Sequence, residues 1–320
     1  MIENSVTIVI PVKNGMPMLG EVLDGIDAQD YNHPVEVVGI DSGSSDGSDA
    51  LIDARGHKLI RIPPAEFGHG RTRNLGVESS RAQYLVFLTQ DAVPADPNWL
   101  DELVRPMRDD ANVAGVFSRH QAHENADPFT AWELDTHFEG LKDFPLCELN
   151  EPERYWQDQS LRQIYHYFSN NSSAIRRAVW KKHPLPDVQF AEDQIWAKTI
   201  IEAGYKKAYA PNSLISHSHS FGPFETLRRA YDESRAFRKL FGYELGGDWS
   251  QVCGSALYLI ARDMKLAFHH GWFTSHPLKS ISRIFESMAK PVGHRLGSLD
   301  RLPKRLQNQL SRDEWIKSTT

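Results

Sequence analysis

The chain has 320 residues, 40% of them hydrophobic and 24% charged, with a net charge of −6. That is a globular composition, long enough for one large domain or for a catalytic domain with an appendage, and it excludes a disordered or fibrous protein. No stretch reaches the roughly 20 apolar residues of a membrane-spanning helix. No basic-then-apolar leader precedes the strand-like residues from Val6, so no signal peptide is expected. Cys147 and Cys253 are too few and too far apart for a disulfide framework or a zinc site, which makes a cytoplasmic setting the expectation.

The charge is unevenly spread. From Ala261 to Thr320 there are 11 Lys+Arg against 5 Asp+Glu, a basic end on an acidic body. Such a tail suits contact with anionic lipid or glycan, and equally a pair of solvated helical faces. No nucleic-acid partner is expected of this net-acidic chain.

In chain order, the first 120 residues alternate short apolar runs with amphipathic stretches, the pattern of βαβ units around a mostly parallel sheet. Val6 to Val12 reads as a buried strand, Met18 to Ala28 as a helix and Val35 to Ile40 as the second strand. A Ser, Gly and Asp run follows, in which Asp46 or Ser48 is placed to cap the next helix. Lys58 to Ile62 is a short third strand, Arg71 to Ser79 a helix and Tyr84 to Leu88 a strong strand. A helix after Pro97 and a strand at Val113 to Phe117 complete this half. The stretch from about His120 to Phe168 is rich in aromatics and acids without clear periodicity. Order returns at Asn170 to Lys182, and Asp193 to Ala203 reads as a helix closed by Gly204. From Phe224 the pattern is helical, broken at Pro277 and Pro291.

Ligands of open α/β sheets sit beyond the carboxyl ends of the strands. Three strand ends here are loaded with polar residues in succession: Pro11-Val12-Lys13-Asn14, then Asp41 to Gly47, then Thr89-Gln90-Asp91. Together they make a polar crevice. The first turn lacks G-x-G-x-x-G, and no G-x-x-x-x-G-K-[ST] loop is present. A nucleotidyltransferase would want a basic residue in a Gly-rich loop, whereas Gly43-Ser44-Ser45-Asp46-Gly47 is acidic. A non-catalytic nucleotide-sugar or glycan-binding protein is the reading of another class.

From Val6 to about Phe221 the order and spacing of these segments closely resemble the family 2 glycosyltransferases, inverting enzymes of the GT-A fold. The carrying segments are Pro11 to Gly15, then Ile40 to Ser48 (near the family's D-[DN]-G-S-x-D-G-[ST]), and Gly70 to Gly76 (near A-R-N-x-G). Asp91, Glu192-Asp193 and His217-Ser218-His219 follow in family order. The resemblance implies an α/β, GT-A (nucleotide-diphospho-sugar transferase) domain over 1–221, with a mostly parallel sheet flanked by helices. Its nucleotide-binding half would be 1–119 and its acceptor and catalytic half 120–221, with a helical extension over 222–320.

Site roles follow from the same resemblance. Asp41 would accept from the imide N–H of the base, Pro11 and Val12 would wall the base pocket, and Asn14, Ser44 and Asp46 would stand near. Arg71 and Arg73, with Asn74, lie at the start of a helix, where guanidinium forks and a helix N-terminus suit phosphate. Asp91 would hold Mg²⁺ or Mn²⁺, which neutralises the diphosphate as it leaves. The family usually shows D-x-D here; this chain has Thr89-Gln90-Asp91, which puts contacts of the first Asp to sugar or ribose in doubt. His217 or His219 would add an imidazole, with His217 preferred; alternation points both to one side of a strand.

Asp193 is expected as the general base, with Glu192 beside it. Inversion needs a carboxylate opposite the leaving group to take the acceptor proton, and a helix N-terminus would keep that carboxylate ionised. Trp196 is a candidate for the acceptor site. Phe67 to Asn74 and Leu88 to Ala92 resemble bacterial rhamnosyltransferases of O-antigen and polysaccharide assembly. That implies dTDP-β-L-rhamnose as donor and an α-linked product on a glycan or lipid-linked saccharide; UDP- or dTDP-linked hexoses remain open. The helical tail would sit on the inner membrane surface, or pack on the catalytic domain or on a second subunit as a homodimer.

Overall fold

The computed structural model describes residues 2–188 and 190–311; Arg312 and Lys317 of the basic tail lie outside them. Two compact units are present. One contains the residues up to Glu124 with Glu133–Ser218, the other Asn125–Trp132 with the residues from His219 on.

The first unit is built on one nine-stranded sheet. Its first half contains β1 (Val6–Val12), α1 (Met18–Asp27), β2 (Val35–Asp41), α2 (Ser48–Ala54) and β3 (Lys58–Arg61). There follow α3 (His69–Glu78), β4 (Tyr84–Leu88), β5 (Val93–Pro94), α4 (Trp99–Asp109) and β6 (Val113–Gln121). Next come α5 (Pro128–Gly140), β7 (Leu146–Cys147), α6 (Pro152–Gln157), α7 (Gln159–His166), β8 (Ser172–Arg176) and α8 (Arg177–Trp180). α9 (Glu192–Glu202) and β9 (Lys206–Ser216) complete it. The strand order is β3-β2-β1-β4-β8-β6-β9-β5, with β7 also on β9. β3, β2, β1 and β4 run parallel, while β8 enters antiparallel to both β4 and β6, so the sheet is mixed.

The reason for this layering is legible in β1. Successive side chains of a strand point to opposite faces. Ile8 and Ile10 enter one core with Leu19, Val22, Leu23 and Ile26 of α1, while Val9 enters the other core with Ile40, Phe87 and Trp196. Both faces are covered, so the strand is apolar but for the buried Thr7. Gly76 of α3 lets that helix reach the sheet: a Cβ there would stand 2.4 Å from Val9 Cγ1.

α5 escaped the periodicity reading for a geometric reason. Its buried anchors Phe129 and Phe138 are nine residues apart, two and a half turns, and so point to opposite sides with no single apolar stripe. α6 and α7 also lie in the stretch that shows no clear period.

The second unit contains the start of α5 with α10 (Pro223–Phe241), α11 (Trp249–His269), α12 (Trp272–Ser275), α13 (Pro277–Gly297) and α14 (Lys304–Leu310). The expected break at Pro291 does not occur. Pro277 opens α13 and Pro291 lies inside it, buried. The helix runs on because its small residues let α10 come close: a Cβ on Gly293 would stand 2.5 Å from the Leu227 carbonyl oxygen. Between α11 and α13 the interior is ionic. Asp263 accepts from Arg283 at 2.7 Å and from the Ser287 hydroxyl at 2.7 Å, and Glu286 from Lys279 at 2.8 Å. No described helix is long and apolar enough to cross a membrane.

Candidate active site

Two loops at the carboxyl ends of β1 and β2 are stitched together residue by residue. The Asn14 amide donates to Ser44 Oγ at 2.8 Å, and Ser45 N–H donates to Asn14 Oδ1 at 2.8 Å. Gly15 N–H donates to Ser48 Oγ at 2.9 Å and Met16 N–H to Asp46 Oδ2 at 2.9 Å. Asn14, in left-handed backbone at φ 49°, Ser44 and Asp46 therefore serve first as the frame of the crevice. Asp41 is 3% exposed, and its carboxylate accepts from Gly43 N–H at 2.9 Å and Ser44 N–H at 3.1 Å. Lys13 Nζ caps the same loop by donating to the Ser42 carbonyl at 3.1 Å. Gln90, after β4, clasps Lys13 by both its amide ends: Lys13 N–H donates to Oε1 at 2.7 Å and Nε2 donates to the Lys13 carbonyl at 3.1 Å. Pro11 is half-buried and Val12 fully buried in the strand below.

The second element of the site joins α3 to the start of α9. Arg73 is buried, and its guanidinium meets Glu192 Oε1 at 3.1 Å. It also donates to the carbonyls of His69 and Asn170 at 3.1 and 3.4 Å, and its Nε is buried with no hydrogen-bond partner among the described residues. Arg73 is thus engaged with a carboxylate rather than displayed to a phosphate. Asn74 is similarly committed. Its Nδ2 donates to the Leu185 carbonyl at 2.8 Å and its Oδ1 accepts from Trp180 Nε1 at 2.8 Å. Arg71 is the exposed member of the group, with Asp187 at 3.7 Å.

Asp193 follows Glu192 in the first turn of α9, half-buried. It accepts from Asn170 N–H at 3.1 Å and from Gln194 N–H at 2.8 Å. Burial first, and the neighbouring Glu192 charge second, push its pKa up to about 7, against those two hydrogen bonds and Arg73. The expectation that the helix N-terminus keeps it fully ionised is corrected here: desolvation outweighs the two backbone donors. Trp196, one turn on, faces inward. It is 1% exposed, sits against Phe168 and Gly115, and donates to the His183 carbonyl at 2.8 Å; it belongs to the core rather than to an acceptor surface.

Asp91 and the end of β9 form the third element. His217 Nε2 stands 3.6 Å from Asp91 Oδ1, too far for a hydrogen bond and close to the spacing of two atoms on one cation with bonds of roughly 2.1 Å. His219 is two residues further along the chain. One ligand atom from each of Asp91, His217 and His219 lies within 4.8 Å of the others. One carboxylate and two imidazoles fit a divalent transition cation. Thr89, in the place of the family's first Asp, turns a hydroxyl inward that has no partner among the described residues.

Two functional neighbours were not singled out from sequence. Asn170 and Asn171, just before β8, tie the second and third elements together. Asn170 donates from Nδ2 to Glu192 at 3.2 Å as well as from its N–H to Asp193. Asn171 places Nδ2 3.5 Å from His217 Nδ1 and accepts Thr89 N–H on its carbonyl at 3.1 Å. Their signal was the polar run Ser169 to Ser173 closing an aperiodic stretch, which also reads as an ordinary turn. His120 was missed as well. It is buried beside His217, with ring centroids 5.5 Å apart.

The profile of glycosyl transferase family 2 matches residues 7–183. The chain belongs to that family. Among curated proteins this glycosyltransferase is 30% identical over 231 residues to the O-antigen chain rhamnosyltransferase RfbN of Salmonella typhimurium, covering 71% of this chain and 70% of RfbN. It is also 30% identical to the O-antigen chain rhamnosyltransferase WbaN of Salmonella anatum over 236 residues, with the same coverage. Among solved structures it resembles the mannosyltransferase PcManGT of Pyrobaculum calidifontis, solved with GDP-Man and Mn²⁺, at TM-score 0.58 and 19% identity over 89% of this chain and 85% of that one. S. aureus TarS, residues 1–349, solved with UDP-GlcNAc, superposes at TM-score 0.51 and 14% identity over 93% and 94%. These neighbours share the fold, which is the GT-A type that the motifs implied.

Proposed function

We propose that this family 2 glycosyltransferase moves L-rhamnose from dTDP-β-L-rhamnose to a glycan or lipid-linked saccharide, with inversion to an α-linkage and Asp193 as general base. The observation that carries the mechanism is the Asp193 carboxylate, oriented by Asn170 and Gln194 while Arg73 neutralises its neighbour Glu192. A pKa near 7 matches a group that must both take and release a proton at neutral pH. In the transfer, the acceptor oxygen forms its bond to the anomeric carbon as the bond from that carbon to the diphosphate oxygen breaks. The acceptor proton goes to Asp193, and dTDP leaves with the electron pair. Asp41 and the stitched loops would hold the base, and Arg71 would meet the diphosphate.

Asp91, His217 and His219 would hold a divalent cation, and two imidazoles favour Mn²⁺ over Mg²⁺, which takes oxygen ligands. When bound, such a cation neutralises the leaving diphosphate. For His217 to offer Nε2, its Nδ1 carries the proton and Asn171 must present its amide oxygen, a flip of that side chain. Rhamnose as the sugar is supported by the two rhamnosyltransferases that this chain resembles over some 70% of its length; the neighbours solved with GDP-Man and UDP-GlcNAc support a nucleotide-sugar donor in general.

The test is release of nucleoside diphosphate from a panel of dTDP-, UDP- and GDP-sugars with Mn²⁺ or Mg²⁺ and a lipid-linked saccharide acceptor. Turnover is expected with dTDP-rhamnose above all others. Preference for a UDP- or GDP-hexose overturns the donor, and a β-linked product overturns inversion. No turnover with any donor leaves only nucleotide-sugar binding.

A further inference from the structure

Helices α11 and α13 are turned inside out. A solvated helix packs its apolar side inward and shows charge to water. From Trp249 to Lys290 the chain has two carboxylates, Asp263 and Glu286, and both are buried, at 1% and 3% exposure. Asp263 is neutralised by Arg262 and Arg283, and Glu286 by Lys279. The outside carries the apolar groups. On α11, Leu257 is 68% exposed and Phe268 82%. They are eleven residues apart, three turns, and so lie on one side. On α13, Leu278, Ile281 and Phe285 are 82%, 56% and 52% exposed at spacings of three and four, again one stripe. Lys265, three residues before Phe268, is exposed on the same side of α11, and the stretch has no exposed acid; Lys290, nine residues from Ile281, turns to the other side of α13.

Scattered exposed apolar residues are ordinary, but a face that is apolar and cationic with its acids withdrawn is not. A second copy of the same face would bring Lys265 to a surface with no acid to meet it. No described helix can cross a bilayer, so the partner is met at a surface. We propose that the outer faces of α11 and α13 bind an anionic lipid bilayer, the apolar side chains entering the boundary between headgroups and acyl chains and Lys265 meeting lipid phosphate. The inference goes beyond the transferase reading and does not depend on it.

The experiment is co-sedimentation of the full chain with vesicles of phosphatidylcholine alone or with about one third phosphatidylglycerol. Binding is expected to the anionic vesicles and to weaken at high salt. The double variant Phe268→Glu/Phe285→Glu, which removes exposed groups only, should lose at least about tenfold in vesicle affinity. Lys265→Glu should lose at least roughly fivefold on anionic vesicles and nothing on neutral ones. This lysine variant carries the test if the phenylalanine variant misfolds by circular dichroism. Wild-type binding no better than that of the variants overturns the proposal. So does a lipid-free dimer that Phe268→Glu/Phe285→Glu makes monomeric while vesicle binding is unchanged, which would assign the face to a second copy.

Discussion

Glu192 and Asp193 are chain neighbours in opposite electrostatic circumstances. Glu192 has a buried guanidinium at 3.1 Å; Asp193 has only backbone donors and feels Glu192 as a like charge. The first is therefore held by a countercharge, and the second has none of its own. Because Asp193 must be ionised to accept a proton, kcat/KM should climb as pH rises through about 7. Asp193→Asn should lower kcat by roughly 10²- to 10⁴-fold and change donor KM little, measured by steady-state kinetics; near-wild-type kcat would remove Asp193 from the mechanism. Stability gives an independent readout. A carboxyl whose folded pKa lies near 7 and whose ordinary value is 3.8 binds its proton more tightly in the folded state. Wild-type stability falls as pH rises across that window and is flat above it. Asp193→Asn abolishes this fall, so its Tm relative to wild type should rise between those two pH values.

At the scale of elements, the site hangs on the link between α3 and α9. Both partners of that link are buried, so removing one leaves the other as an unpaired charge. Arg73→Met should cost about 3–5 kcal/mol in urea denaturation, with Glu192→Gln in the same chain restoring part of it. A loss of donor affinity without loss of stability would return Arg73 to the phosphate. The strands were legible where burial on both faces makes an apolar run: β1 and β4 lie where the sequence placed them, Val6–Val12 and Tyr84–Leu88. α5 was not, because its anchors face opposite ways, and α13 was read as broken because Pro291 has no N–H to donate. Asp91, Asp193 and His217 were legible because each closes or opens an element. Trp196 misled, since an aromatic beside a carboxylate does not declare which side of the helix it takes. Asn170 and Asn171 act largely through backbone groups that every residue has, and no side-chain pattern announces them.

Over the whole molecule, the acidic body and basic end resolve into different tasks. Asp41, Asp46, Asp91 and Asp193 of the first unit stand where nucleotide, cation and acceptor are proposed to bind, while the two carboxylates of α11 and α13 are withdrawn from the surface. Cation and nucleoside diphosphate should therefore stabilise the chain together. Mn²⁺ with dTDP at about 100 times its Kd should add about 2.7 kcal/mol, seen as a rise in Tm that a chelator reverses. Asp91→Ala should keep the ligand-free Tm and lose the rise; if the rise survives that change, Asp91 does not hold the cation.

The pairing of Arg73 with Glu192 spans 119 positions, and this has a consequence for a chain made from its N-terminus. Every loop that frames the crevice is synthesised before residue 92, yet the guanidinium that belongs beneath α9 must remain hydrated until Glu192 follows. Asp193 and His217 come later still. A nascent or cleaved chain that stops at residue 183 would contain the whole family-matched segment and lack the proposed base. On this reading the molecule cannot acquire its chemistry piecemeal: the proposed proton acceptor is set in place only when early and late parts of the chain have closed on one another.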